Sequence, residues 1–193
     1  MEKHFYVCSY GGCGSKMLCN ALQPFGNVYH IHSRNPPDKL EYIGDMNNIK
    51  CYYEWFNGIQ IPHDQIDNYY VLYIYKNPSK SIISRFTIPE HLDHIQCNRI
   101  TLNDVVNSSK DLYGIHEFYN NYTQSNNRNY KIYAVKYEDI FDKQDELSAL
   151  LGIGPLQLVK QETVYTDNND IKLTEIYKDL IDTMNTNPFI MMN

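Results

Sequence analysis

A chain of 193 residues, 42% hydrophobic and 21% charged, is long enough to bury a core without help from metals or disulfides. A net charge of −6 and a pI near 5.6 exclude a broad electrostatic grip on nucleic acid, while leaving room for a local basic pocket that takes a small anion. The five cysteines are odd in number and form no CxxC pair, which points to reduced thiols rather than a disulfide framework or a zinc site.

Met1-Glu2-Lys3-His4 runs directly into an apolar stretch with no signal-peptide pattern, and no segment has the apolar length of a membrane span. A soluble, intracellular, cytoplasmic protein is expected. His4 to Tyr10 reads as a buried parallel strand, closed by Gly11-Gly12. A helix follows over Lys16 to Leu22, with Met17, Leu18, Ala21 and Leu22 at helical spacing. Gly26-Asn27 turns the chain into a second strand, Val28 to His32. Residues 38–67 show no clear period; Tyr52, Tyr53, Trp55 and Phe56 form an aromatic cluster within them.

Tyr69 to Tyr75 (YYVLYIY) is the plainest buried strand, ended by Asn77-Pro78. A helix over Ser79 to Phe86 follows, with Ser79 as N-cap. Further helices are expected at Leu102–Ser109, capped by Thr101, and at Leu112–Tyr122. The polar run 124–129 is a loop and Tyr130 to Lys136 another strand. Beyond it a helix from Glu138 to Leu151 should end at Gly152, and a last amphipathic helix should run from Leu173 to Met184.

Strands alternating with helices predict an α/β protein: a central parallel sheet in a three-layer αβα arrangement, built as a single domain over residues 1–193. Ligands of such sheets bind at the carboxyl ends of the strands, here 9–16, 32–34, 76–84 and 136–139.

The first of these ends is Gly11-Gly12-Cys13-Gly14-Ser15-Lys16. Glycines let the backbone turn tightly, and the following helix adds the positive end of its dipole, a combination suited to phosphate. Ser15 and Lys16 bring a hydroxyl and a cation into the first helical turn. The loop is not the triphosphatase form G-x-x-x-x-G-K-[ST]: Ser15 separates the last glycine from the lysine, and Ser9 stands where the first glycine belongs. The strand that would supply a magnesium-binding aspartate ends in Lys76 instead. Lys76-Asn77-Pro78 and Ser84, eight residues after Lys76, set a cation and a hydroxyl around a second strand exit.

This pair of motifs resembles the sulfotransferases that use 3′-phosphoadenosine 5′-phosphosulfate (PAPS). In that family a loop S-[YF]-P-[KR]-S-G-[ST]-[ST] follows the first strand; the corresponding run is Ser9-Tyr10-Gly11-Gly12-Cys13-Gly14-Ser15-Lys16. The family's R-[ND]-P and later serine match Lys76, Asn77, Pro78 and Ser84, and Val135-Lys136-Tyr137-Glu138-Asp139-Ile140 resembles its YEDL element. The matches run in order over most of residues 4–153. The resemblance implies a P-loop sulfotransferase-like fold and transfer of a sulfuryl group from PAPS to a hydroxyl or amine of a small-molecule or carbohydrate acceptor. It implies no metal and PAP as product, with Gly11, Gly12, Cys13, Gly14, Ser15, Lys16, Lys76 and Ser84 holding the cofactor.

The chain departs from the family in its first loop. The usual lysine or arginine there, which assists the bridging oxygen, aligns with Gly12; Lys16, one turn later, is the candidate replacement. Lys76 in place of arginine keeps the charge but loses the bidentate fork. A small-molecule kinase or other phosphate-loop enzyme, and an inactive sulfotransferase-like binding protein, are the alternatives. The family's base is a histidine or glutamate between the two motifs. His32, at the end of the second strand and on one face with His30, is the first candidate; His30, His63, Glu41 and Glu54 are the others, and Arg34 is a further anion contact. Cys13, at a helix start beside Lys16, reads as a small residue packed in the loop or as a thiol of lowered pKa. Acceptor specificity falls to loops 35–66 and 87–130.

Overall fold

The computed structural model describes residues 2–37, 40, 42–43, 59–60, 63–86, 91–97, 99–124, 127–160 and 169–193. In chain order the strands and helices are β1 (Lys3–Cys8), α1 (Ser15–Leu22), β2 (Gly26–Ile31), the short β3 (Tyr42–Ile43) and β4 (Ile59–Gln60), and β5 (Tyr69–Tyr75). They continue with α2 (Pro78–Arg85), α3 (Leu102–Ser108), α4 (Ile115–Thr123), β6 (Ile132–Lys136), α5 (Gln144–Leu151), α6 (Asp170–Ile176), α7 (Lys178–Thr186) and β7 (Ile190–Met192).

The main sheet has the order β2-β1-β5-β6-β7, and β3 pairs with β4 apart from it. β1, β2, β5 and β6 are parallel, so the α/β expectation holds. The sheet is nonetheless mixed, because β7 runs antiparallel to β6 in the register Tyr133↔Met192. Three residues are too few to show a strand period; β7 exists because its backbone completes the ladder, Ile132 N–H donating to Asn193 O at 3.0 Å and Lys136 N–H to Phe189 O at 2.9 Å.

Burial follows from the parallel pairing. Val71, Leu72, Tyr73, Ile74 and Tyr75 of β5 are all solvent-free, as a strand covered on both faces must be. On one face Tyr73 stacks on Tyr122 at 4.5 Å and on Phe118 at 6.1 Å, both from α4. On the other, His30 of β2 meets Ser15 at the start of α1.

Several element boundaries differ from expectation for identifiable reasons. α2 begins at Pro78, and its cap is Asn77, whose side chain accepts the Lys80 N–H at 3.3 Å; proline suits the first helical position. Ser79, expected as the cap, is buried and bonds Asp170 of α6 instead. Thr101 does cap α3, in a full capping box with Asp104. The helix expected from Glu138 starts at Gln144, preceded by a 3₁₀ turn in which Glu138 accepts the Asn77 N–H at 2.9 Å. Gly152 ends α5 in the left-handed conformation, φ +58°. The last helix is divided at Tyr177, whose phenol donates to Asp111 at 2.7 Å.

In the sheet order, the chain leaves β1 toward β2 on one side and then returns to place β5 on the other. The carboxyl ends of β1 and β5 therefore diverge into a crevice, the position where open α/β sheets bind ligands.

Candidate anion-binding cleft

The β1 exit is a tight glycine turn. Gly11, Gly12 and Gly14 all have positive φ, at +99°, +69° and +79°. At Gly12 a Cβ would come within 2.7 Å of the Ser81 carbonyl of α2, and at Gly14 one would come within 2.5 Å of the Tyr137 ring. Glycine is required at both for conformation and for space. The turn delivers the chain into α1 with Ser15 as its first residue and Gly14 as a left-handed cap.

The β5 exit is bound to this turn by Tyr10. Its phenol donates to the Lys76 carbonyl and accepts the Lys76 N–H at 3.2 Å, fully buried. Lys76 is 7% exposed, and its Nζ lies 4.6 Å from the centroid of the Tyr137 ring. That cation–π contact aims the ammonium along the wall of the crevice.

Between the two exits lies a cleft of about 740 Å³. Every predicted cofactor residue except Cys13 lines it: Gly11, Gly12, Gly14, Ser15, Lys16, Lys76 and Ser84. His30 and His32 do so too, together with Arg85 and Tyr137, which the sequence reading did not assign to the site. Met17, Ala21, Leu158 and Val159 add an apolar wall, edged by the amides of Asn20 and Gln157. The 156–158 segment is held there by α5, whose Ser148 Oγ and Gln144 Oε1 accept the N–H groups of Leu156 (3.0 Å) and Leu158 (2.8 Å). The described lining residues include Lys16, Lys76 and Arg85 but no aspartate or glutamate, in a chain of net charge −6.

The two histidines share a strand face, as alternation predicts, with ring centroids 4.5 Å apart. His32 is 2% exposed, and its Nδ1 lies 2.8 Å from the Ser9 carbonyl. A carbonyl only accepts, so Nδ1 carries the proton and the basic lone pair sits on Nε2. His30 is half-buried; its Nε2 is 2.8 Å from Ser15 Oγ, which is 3.0 Å from Ser9 Oγ. Ser9 Oγ also accepts the Gly11 N–H at 3.2 Å. Serines and histidines thus form one network beneath the loop.

Other candidates fall elsewhere. The Cys13 thiol is buried under the loop, 3.1 Å from Gly11 O and 3.7 Å from Ser81 Oγ. Burial pushes it up to about 12, so it is a neutral packed group and not a thiolate. Arg34 is consumed structurally, donating to the carbonyls of Gly114 (2.8 Å) and Tyr113 (2.9 Å) at the entry to α4 and to that of Ile95 (2.8 Å). His63 stands in the turn that leads into β5, at the amino edge of the sheet. The seven residues of β5, about 20 Å of strand, separate it from the cleft. Glu41, Glu54 and the aromatic cluster at 52–56 lie outside the described residues. Among the described residues no helix is long and apolar enough to cross a membrane.

The sequence carried a signal for Arg85, a cation directly after the matched Ser84, and for Tyr137, the tyrosine of the third motif. Comparison with protein-family models, with characterised proteins and with solved structures finds no match to this chain.

Proposed function

We propose that the protein is a P-loop sulfotransferase-like enzyme that moves a sulfuryl group from PAPS to a hydroxyl or amine of a small-molecule or carbohydrate acceptor. The observation that carries this reading is the grouping of Lys16, Lys76 and Arg85 around a glycine turn at the sheet's switch point, with no carboxylate among the described lining residues. A magnesium nucleotide site needs a carboxylate to hold its metal, so the same grouping favours PAPS over the kinase alternative. Two strand exits meet in the cleft, which suits a ligand bearing two separated anionic groups. The wall of Met17, Ala21, Leu158 and Val159 suits the planar base between them.

In the transfer, the S–O bond to the 5′-phosphate breaks and a new S–O bond (hydroxyl acceptor) or S–N bond (amine acceptor) forms, while the acceptor's proton passes to a base. PAP departs with the charge gained on its bridging oxygen. Lys16 and the start of α1 offset charge at the loop, while Lys76 and Ser84 hold the 3′-phosphate. The base falls to the histidine pair that lines the cleft: His32 is fixed by its Nδ1–H on the Ser9 carbonyl, with Nε2 itself buried, and His30 reaches the loop through Ser15.

A second reading is a relative that binds PAP without turnover. Gly12, where the family carries its lysine or arginine, favours it, because no side chain fits there. Calorimetric titration with PAP against ATP–magnesium tests the site, and release of PAP from PAPS tests turnover. Preference for PAP with slow release supports the enzyme. Preference for ATP–magnesium overturns both readings.

A further inference from the structure

We propose that Arg85 of α2 supplies the cation that position 12 of the loop cannot carry, and that its guanidinium contacts the anion held over Gly11 and Gly12. The identity of that anion as the phosphosulfate end of PAPS rests on the reading above; the existence of the contact does not.

Three observations converge. First, position 12 of the loop is sterically closed to a side chain, and so to a cation. Gly12 has φ +69°, and a Cβ there would lie 2.7 Å from Ser81 O and 3.0 Å from Ser84 Oγ. α2 occupies the volume that a lysine or arginine side chain would leave through. Second, the same helix end brings a cation to the same spot. A Cβ at Gly11 would lie 3.6 Å from Arg85 Cγ and 3.5 Å from the Phe86 ring. The aliphatic stem of Arg85 therefore runs across the bare backbone of the turn. Third, Arg85 is half-buried and lines the cleft with Lys16 and Lys76. The two glycines and Arg85 are thus one arrangement, in which a stripped loop admits α2 and α2 returns the charge.

A cation in the last turn of α2 is also favoured by the helix dipole. That effect would act at any point around the turn and would bear on stability alone. Packing over Gly11 is specific to the cleft.

The chemistry suits guanidinium. It stays charged at all working pH values and offers two parallel N–H donors to phosphate or sulfate oxygens. During sulfuryl transfer the electron pair of the breaking S–O bond passes to the bridging oxygen of PAP, while the acceptor's proton goes to the histidine base. Arg85 donates to that end of the leaving group as its charge grows, and no further reactant is needed.

Isothermal titration with inorganic pyrophosphate and with PAP tests the inference on the full chain, using wild type, Arg85→Gln, Arg85→Lys and the exposed control Arg99→Ala. The expected result is pyrophosphate affinity about tenfold to a hundredfold weaker in Arg85→Gln, as loss of a charge-assisted contact predicts. Arg85→Lys should recover most of it, and Arg99→Ala should match wild type. Thermal melts of the variants show that each is folded. Pyrophosphate binding by Arg85→Gln within about twofold of wild type overturns the inference, and so does failure of the wild type to bind pyrophosphate at all. Arg85-dependent binding of pyrophosphate without preference for PAP over ATP–magnesium would keep Arg85 in its role and overturn the sulfotransferase reading instead.

Discussion

The phenol of Tyr10 joins both backbone groups of Lys76, donating to its carbonyl and accepting its N–H at 3.2 Å, across 66 residues of sequence. One side chain thereby locks the two strand exits that form the cleft. Tyr10→Phe leaves the packing and removes both bonds, stranding a buried N–H. The expected cost is about 1–3 kcal/mol, measured by urea unfolding, with PAP affinity weakened because Lys76 is no longer held.

Gly14→Ala should be harsher than an ordinary loop substitution. Its φ of +79° costs an L residue about 1–2 kcal/mol, and the new methyl would lie 2.5 Å from Tyr137. In a Tyr137→Ala background the steric part disappears and the conformational part stays. In a double-mutant cycle the double variant should therefore lose less stability than the two single variants summed, with the φ penalty remaining.

Lys76→Ala should weaken PAP binding by about tenfold to a hundredfold while adenosine binding changes little. Tyr137→Leu should lower PAP affinity in the same direction, because the ring 4.6 Å from the Lys76 ammonium is what aims it. Calorimetry on the two variants separates charge from aim.

The histidine pair divides into structure and chemistry. His32→Ala removes the donor to the buried Ser9 carbonyl and should cost about 1–3 kcal/mol, whereas the half-buried His30→Ala should cost less. If His32 is the base, His32→Gln lowers PAPS turnover by about 10²–10⁴-fold with PAP affinity retained. Equal turnover in that variant would move the role to His30.

Alkali should unfold the protein earlier than neutral conditions suggest. Burial holds the Cys13 thiol at about 12 against an ordinary 9.0, and the Tyr113 phenol at about 12 against 10.0. Between those limits the unfolded chain has released protons that the folded chain retains, so stability falls as pH rises. The loss is about 1.4 kcal/mol per pH unit for each such group, beginning near pH 9 for Cys13 and near pH 10 for Tyr113. Melts from pH 7 to 11 check this. Cys13 should also resist thiol reagents at pH 8 until the chain is unfolded.

Where local sequence sets the outcome, the elements were legible. β5 stands where YYVLYIY predicts it, and Thr101 and Gly152 begin and end helices as their chemistry requires. The glycine turn before α1 and the lysine at the β5 exit were legible as well, because both are short-range patterns. Misreadings came where a distant partner decided. Ser79 serves α6 rather than its own helix start, and Arg34 is spent on the carbonyls of Ile95, Tyr113 and Gly114 rather than on an anion.

The amino-acid sequence alone determined that this is an α/β chain with a glycine turn at one strand end and a lysine at another, because hydrophobic period and turn chemistry act within a few residues. Only the tertiary structure decided that these ends share one cleft and that α2 bars a cation from Gly12 while bringing Arg85 to Gly11. It also decided that β7 closes the sheet in the antiparallel sense. Those outcomes depend on sheet order and on α2 lying so close to the turn that a Cβ at Gly12 would meet Ser81 O at 2.7 Å, a contact between segments some seventy residues apart that no local pattern encodes.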